Sequence, residues 1–286
     1  MKALLQRFLS LIIVMALSTG CTNLFFYPER KLIDNPAAKR LSPIDIYFKT
    51  PDGMTLHGWY FQTSGKAIAT VLVLHGNAEN LSTHVNSVLW LVPQRYNVFI
   101  FDYRGYGRSE GAPSVAGIHL DAEAALEKLL TLPGVDQYRI VVLGQSLGGA
   151  VGVYLAANSP YKNNIKALVI DSAFASHRRI AREKMDQLWL TWPFQYPLSL
   201  LFNDDYSPVK YISRISPIPV LILHGEQDTV VSVHHANILF NAAEEPKELL
   251  LKPLTGHIQL FKNDSVRTDV LKFLERSITI QTVGEQ

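Results

Sequence analysis

The stretch Ile140-Val141-Val142-Leu143-Gly144-Gln145-Ser146-Leu147-Gly148-Gly149-Ala150 decides the reading of this chain. It opens with a compact apolar run, passes through Gly-x-Ser-x-Gly, and continues into residues up to Asn158 that suit a helix. Strand, tight turn and helix in that order make a nucleophile elbow. Such a turn forces Ser146 into a strained backbone conformation, and a Cβ at Gly144 or Gly148 would strike the neighbouring strand or helix. In return the hydroxyl stands at a helix N-terminus, where the dipole favours developing negative charge. The alternative use of such a turn is packing or phosphate binding, and the strand-turn-helix context favours a nucleophilic Ser146.

Working outward, short apolar runs alternate with helical segments. Ile44 to Phe48 and Thr55 to Phe61, split by Pro51-Asp52-Gly53, read as an antiparallel hairpin. Thr70 to Leu74, Val98 to Phe101, Ile140 to Leu143, Ala167 to Ile170, Val220 to Leu223 and Glu248 to Leu251 read as strands buried on both faces. Helices are expected around Val85 to Leu91, over Ile118 to Leu130 up to the stop Pro133-Gly134, over Ala150 to Asn158, and over Asp264 to Arg276. This alternation predicts an α/β fold with an eight-stranded, mostly parallel sheet flanked by helices. Ligands in such sheets bind beyond the C-terminal strand ends.

A serine needs a base, and the chain has nine histidines. His257, in Pro253-Leu254-Thr255-Gly256-His257, follows the last strand and lies on the correct sheet edge. His57 sits in the hairpin, His84 and His119 on helices, and His177 in an insertion. His224 reads as a local hydrogen-bonding residue, and His234 and His235 as solvated residues opening a helix. The carboxylate that orients the base is expected to be Asp228, just past the Val220 to Leu223 strand, with Asp171 and Glu226 as competitors. The order Ser146, Asp228, His257 suits an elbow of this kind. Backbone N-H groups of Leu147 and of Asn77, after Leu74-His75-Gly76, are placed to form an oxyanion hole. His75 reads as structural.

The N-terminus carries a different signal. Lys2 and Arg7 precede an apolar run from Phe8 to Leu17, followed by Ser18-Thr19-Gly20-Cys21. At about 1.5 Å per residue this run is too short for a hydrocarbon core of roughly 30 Å, and it reads as a secretory h-region. The Thr19-Gly20-Cys21 stretch resembles a bacterial lipoprotein signal, with Ser18 where leucine is usual. The resemblance implies cleavage after residue 20, a diacylglyceryl group on Cys21, and a catalytic domain held at the cell envelope. An ordinary signal or an uncleaved anchor is the alternative. The expected organisation is a signal at 1–20, a lipidated tether at 21–42, one domain at 43–278 and a tail at 279–286.

Cys21 is the single cysteine, so the chain has no internal disulfide. With 27 basic and 25 acidic side chains there is no strong field for nucleic acid, and a monomer acting on a small or acylated substrate is expected. No metal-ligating or dinucleotide spacing occurs, so no metal or other cofactor is expected.

Three blocks carry a family resemblance: His75-Gly76-Asn77-Ala78-Glu79-Asn80, Phe101-Asp102-Tyr103-Arg104-Gly105-Tyr106-Gly107-Arg108-Ser109-Glu110-Gly111, and the Gly144 to Ala150 stretch already described. With them, Tyr27 to Phe273 resembles the Bem-forty-six-like branch of the α/β-hydrolase superfamily, which includes membrane-associated acyl hydrolases and depalmitoylases. The resemblance implies the α/β-hydrolase fold and serine-dependent acyl transfer to water. The long central block reads as a glycine-rich loop with Asp102 and Arg104 paired. Residues from His177 to Lys210, between the sixth and seventh strands, are expected to form a small cap. Its Trp189, Trp192, Phe194, Tyr196 and Phe202 either line an acyl site or pack the cap onto the domain. The expected activity is hydrolysis of a carboxylic ester or thioester, with a peptidase or a noncatalytic envelope lipoprotein as alternatives.

Overall fold

The computed structural model describes residues 26–186, 194–200 and 202–283. Ten strands are assigned among them: β1 (Tyr27–Pro28), β2 (Ile44–Lys49), β3 (Thr55–Phe61), β4 (Ala69–Leu74), β5 (Ala78–Glu79), β6 (Tyr96–Asp102), β7 (Ile140–Gln145), β8 (Ile165–Asp171), β9 (Val220–Gly225) and β10 (Lys247–Lys252). The α-helices are α1 (Pro36–Arg40), α2 (Leu81–His84), α3 (Val115–Leu129), α4 (Leu147–Asn158), α5 (His177–Asp186), α6 (Gln195–Ser199), α7 (His234–Ala242) and α8 (Asp264–Val283).

Eight strands form one sheet in the order β10-β9-β8-β7-β4-β6-β3-β2. β3 runs antiparallel to β2 and β6, and every other pairing is parallel. The expected architecture is therefore found. The parallel strands read as unbroken apolar runs because successive residues face two different cores. Leu72, Leu74, Val142, Leu168 and Ile170 belong to one core, and Val71, Val73, Val141, Leu143, Ala167 and Val169 to the other. Helices α3 and α4 pack on the first face, while α8 buries Val266, Val270, Phe273 and Leu274 on the second.

Several local expectations change. The helix expected over Val85 to Leu91 is instead α2 followed by 3-10 turns at Val85–Ser87 and Leu89–Gln94, the latter containing Pro93, which lacks an N-H and fits poorly inside an α-helix. α8 continues past Arg276 to Val283. Residues 26–42, expected as tether, are bonded into the domain from Phe26 onward. β1 pairs with β5 in a small parallel sheet, the Asn80 amide donates to the carbonyls of Glu29 and Lys31, and the Ile33 N-H donates to Ser82 Oγ. This strap has no periodicity because its bonds go to residues about 50 positions further along the chain. The signal and Cys21 lie outside the described residues. No helix among the described residues is long and apolar enough to cross a membrane.

The insertion between β8 and β9 contains α5 and α6. His235, expected to be solvated, is buried beneath it. Its Nδ1 accepts the Ala175 N-H at 2.9 Å and its Nε2 lies 3.1 Å from Glu183 on α5, so one imidazole joins the domain to the insertion. Tyr206 stacks on His119 of α3 with ring centroids 4.4 Å apart, fixing the return of the insertion. Phe194 and Tyr196 are 58% and 67% exposed, so neither packs the insertion onto the domain. Trp189 and Trp192 lie outside the described residues.

Candidate active site

Ser146 sits between β7 and α4 with φ 52° and ψ −112°, a conformation an L-residue adopts only under constraint. The constraint is visible. A Cβ on Gly144 would overlap the Gly148 carbonyl, and one on Gly148 would overlap the carbonyl of Leu74. The Ser146 N-H donates to Asp171 O at 2.8 Å, tying the turn to the end of β8. Ser146 is the N-cap of α4, so the Leu147 N-H heads the helix without an intrahelical acceptor.

Close contact between Gly148 and the end of β4 brings the helix start beside the His75-Gly76-Asn77 loop. His75 is fully buried, and its Nδ1 donates to the Gly76 carbonyl at 2.7 Å. Burial, with a smaller contribution from neighbouring His84, lowers the His75 pKa to about 3, so the ring is neutral. A neutral, buried His75 holding its own loop fits the structural role expected for it.

His257 and Asp228 meet across two loops. The His257 Nδ1 donates to Asp228 Oδ2 at 2.7 Å, while Asp228 Oδ1 accepts the N-H groups of Val230 and Val231, each at 2.8 Å. His224 Nε2, which donates to Val231 O at 2.8 Å, also lies 3.2 Å from Asp228 Oδ2. Burial pushes the Asp228 carboxyl up, but hydrogen bonds from His224, His257 and the Val231 N-H outweigh it and hold the group well below the usual carboxylate range. The loops themselves are pressed together, because a Cβ on Gly225 would overlap Thr255 O and the Gln227 N-H donates to that same oxygen at 3.0 Å.

The competitors are committed elsewhere. Asp171 is fully buried, with Oδ2 accepting from Gln145 Nε2 and Oδ1 from Ser172 Oγ, both at 2.9 Å. Burial raises its pKa, with those two bonds acting in the opposite direction. Glu226 is exposed. Asp171 nevertheless shapes the site: the Ile258 N-H points to Ser172 Oγ at 3.3 Å, so Asp171 and Ser172 link the elbow to the residue after His257. A Cβ on Gly76 would come within 3.3 Å of Ile258 Cδ1, which places the His257 loop beside the His75-Gly76-Asn77 loop. No hydrogen bond joins Ser146 to His257 among the described residues. The His257 side chain is 17% exposed against 0% for Asp228, so the ring is reachable and the carboxylate is not.

The roles of Gln145 and Ser172 are not legible in the sequence. Gln145 occupies the variable position of the Gly-x-Ser-x-Gly pattern, and its partner Asp171 is known only once β7 and β8 are paired. The pairing expected between Asp102 and Arg104 is not found. Arg104 bonds Asp121 through Nε at 2.9 Å and Nη2 at 2.8 Å, and Asp52 through Nη1 at 2.7 Å. Asp102 points the other way, accepting the Leu81 N-H at 2.7 Å: β6 ends at Asp102 and Arg104 lies in the turn beyond it, so the two side chains no longer share a strand face. Among the described residues no cluster of three or more His, Cys, Asp or Glu side chains could hold a metal.

A family model described as alpha/beta hydrolase fold matches residues 69–198. The chain is 38% identical to the alpha/beta hydrolase domain-containing protein WAV2 of Arabidopsis thaliana, over 73% of this chain and 69% of that protein. It is 31% identical to the protein bem46 of Schizosaccharomyces pombe, over 77% of this chain and 72% of that protein. In fold it is similar to the Pyrococcus furiosus esterase Pf2001, with a TM-score of 0.71 and 24% identity over 88% of this chain and 97% of that one.

Proposed function

Since the chain belongs to the alpha/beta hydrolase family, with bem46 and WAV2 among its relatives, we propose that it is a serine hydrolase cleaving a carboxylic ester or thioester. Ser146 attacks the carbonyl carbon while His257 takes the hydroxyl proton on Nε2. Asp228 keeps the other ring nitrogen protonated and stabilises the imidazolium. The N-H groups of Leu147 and Asn77 receive the tetrahedral oxyanion. The intermediate collapses, His257 returns the proton to the departing alcohol or thiol, and water activated by the same ring hydrolyses the acyl-enzyme.

The observation that carries this reading is the combination of a strained Ser146 at a helix start with His257 Nδ1 held 2.7 Å from Asp228. An elbow used only for packing has no need of a buried carboxylate aligned on a partly open imidazole. The test is kcat/KM of the full chain on matched butyryl and palmitoyl esters and thioesters, with Ser146→Ala as control. Turnover lost in Ser146→Ala supports the reading, and turnover unchanged in that variant overturns it. Preference for palmitoyl would assign a lipid or acyl-protein substrate, and preference for butyryl a small ester.

For location we propose lipid anchoring at Cys21 in a bacterial envelope. Support comes from the apolar run ending at Leu17 and the Thr19-Gly20-Cys21 site. Metabolic labelling with an alkyne fatty acid should mark the wild-type chain and not Cys21→Ser; equal labelling would refute the assignment.

A further inference from the structure

The block Phe101 to Gly111 is the longest motif that the proposed chemistry leaves unused. Its Tyr106 is fully buried beneath the oxyanion loop, 5.2 Å from the His75 ring and 6.1 Å from that of Tyr103. Core packing alone would be served equally well by phenylalanine. The hydroxyl, however, donates to the Asn77 carbonyl at 2.7 Å, with Asn77 Oδ1 3.2 Å away. The Tyr27 N-H of the strap donates to the same carbonyl at 3.3 Å.

These bonds fall on the peptide next to the one that matters. The Asn77 N-H shares a planar unit with the Gly76 carbonyl and points opposite to it, and His75 already holds that carbonyl. The Asn77 carbonyl belongs to the following unit, which Tyr106 and Tyr27 hold. Both planes flanking the Asn77 Cα are thus tied, in a loop where Gly76 leaves the backbone freest to turn. Resting on the hydrolase reading above, we propose that Tyr106 is a positioning residue for the oxyanion hole, its hydroxyl keeping the Asn77 N-H aimed at the developing oxyanion.

The rest of the block serves this placement. Gly105 and Gly107 have φ of 86° and 45°, values suited to glycine, and a Cβ on Gly107 would overlap Asp102 Oδ2. The Gly107 N-H donates to Glu29 O at 2.9 Å, so the turn that presents Tyr106 also fixes the strap that presents Tyr27. An oxyanion donor stabilises charge only if it is oriented before the charge forms, so a tether on its loop acts on kcat rather than on substrate binding.

The test is Tyr106→Phe in the full chain, read as kcat and KM on the best ester and as the rate of Ser146 labelling by a fluorophosphonate. Loss of a donor itself costs about 10²–10³ in kcat, and loosening one should cost roughly tenfold, with KM unchanged and labelling slowed in parallel. Tyr103→Phe is the packing control, because that hydroxyl stands 3.5 Å from His75 O and holds no part of Asn77. Tyr27→Pro removes the second donor, and its loss combined with Tyr106→Phe should fall short of the product of the single losses, since both serve one oxygen. Unchanged kcat in Tyr106→Phe, a change confined to KM, or an equal loss in Tyr103→Phe would each overturn the assignment. If the wild type shows neither Ser146-dependent turnover nor labelling, the hydrolase reading fails and this role with it. If the wild type reacts and Tyr106→Phe matches it, only this role falls.

Discussion

His257 and Asp228 stand 29 residues apart in the chain and 2.7 Å apart in space, Nδ1 to Oδ2. The carboxylate has no freedom to turn away, because Val230 and Val231 hold Oδ1 and His224 approaches Oδ2 from the buried side. Its orientation therefore dictates which imidazole nitrogen carries the proton.

Asp228→Asn should preserve the fold and lower kcat by about 10⁴, because an amide can present its NH2 to Nδ1 and stabilise the wrong tautomer. Steady-state kinetics beside a melting curve would check this. Loss of activity in step with loss of folded protein would contradict it.

Two glycines of α4 should respond to alanine to different degrees. A Cβ on Gly148 meets backbone of β4 that cannot move aside, so Gly148→Ala should destabilise by about 2–3 kcal/mol or prevent folding. A Cβ on Gly152 meets side-chain ends of Leu168, Val142 and Leu74 at 3.3 to 3.5 Å, and alanine favours helix by about 1 kcal/mol, so Gly152→Ala should stay within about 1 kcal/mol of wild type. Urea titration of both variants distinguishes the cases.

Burial raises the Asp102 pKa to about 8, against the Leu81 N-H, which lowers it. The unfolded value is 3.8, so the folded chain binds the proton more tightly than the unfolded chain. The stability linked to this group is complete below the unfolded value and is lost as pH rises toward 8. Asp102→Asn has no such proton to lose and keeps an acceptor for Leu81. Its Tm relative to wild type should therefore climb between about pH 4 and 8; a constant difference would show that Asp102 is ionised in the fold.

Arg104 joins two carboxylates of different burial, Asp121 with a fully buried side chain and Asp52 with one 41% exposed. Arg104→Lys keeps the charge but cannot span both, and should cost about 2–4 kcal/mol. Asp52→Asn should cost under about 1 kcal/mol, since the exposed arm is screened by water. Equal losses in denaturant titrations would mean that the two arms are equivalent.

The legible parts of this chain were those with local periodicity or steric signature. Unbroken apolar runs marked the two-sided strands, and Gly144 and Gly148 marked the elbow because their lack of a Cβ is itself the structural requirement. Where local pattern misleads, the determining partner is remote. His235 looks like a polar helix start, and its burial depends on Ala175 and Glu183, 60 and 52 residues away. Tyr27 to Asn35 shows no pattern because its hydrogen bonds go to residues remote in the chain, among them Asn77, Asn80 and Ser82.

The strand-helix alternation and the turn at Ser146 are legible along the chain, since each depends on neighbours a few residues apart. Only the tertiary structure decided that Asp228 rather than Asp171 meets His257, that Arg104 turns to Asp121 rather than Asp102, and that Tyr106 lies under Asn77. Those choices depend on which loops the paired strands bring together and which oxygen each donor can reach, and spacing along one chain does not encode that distance.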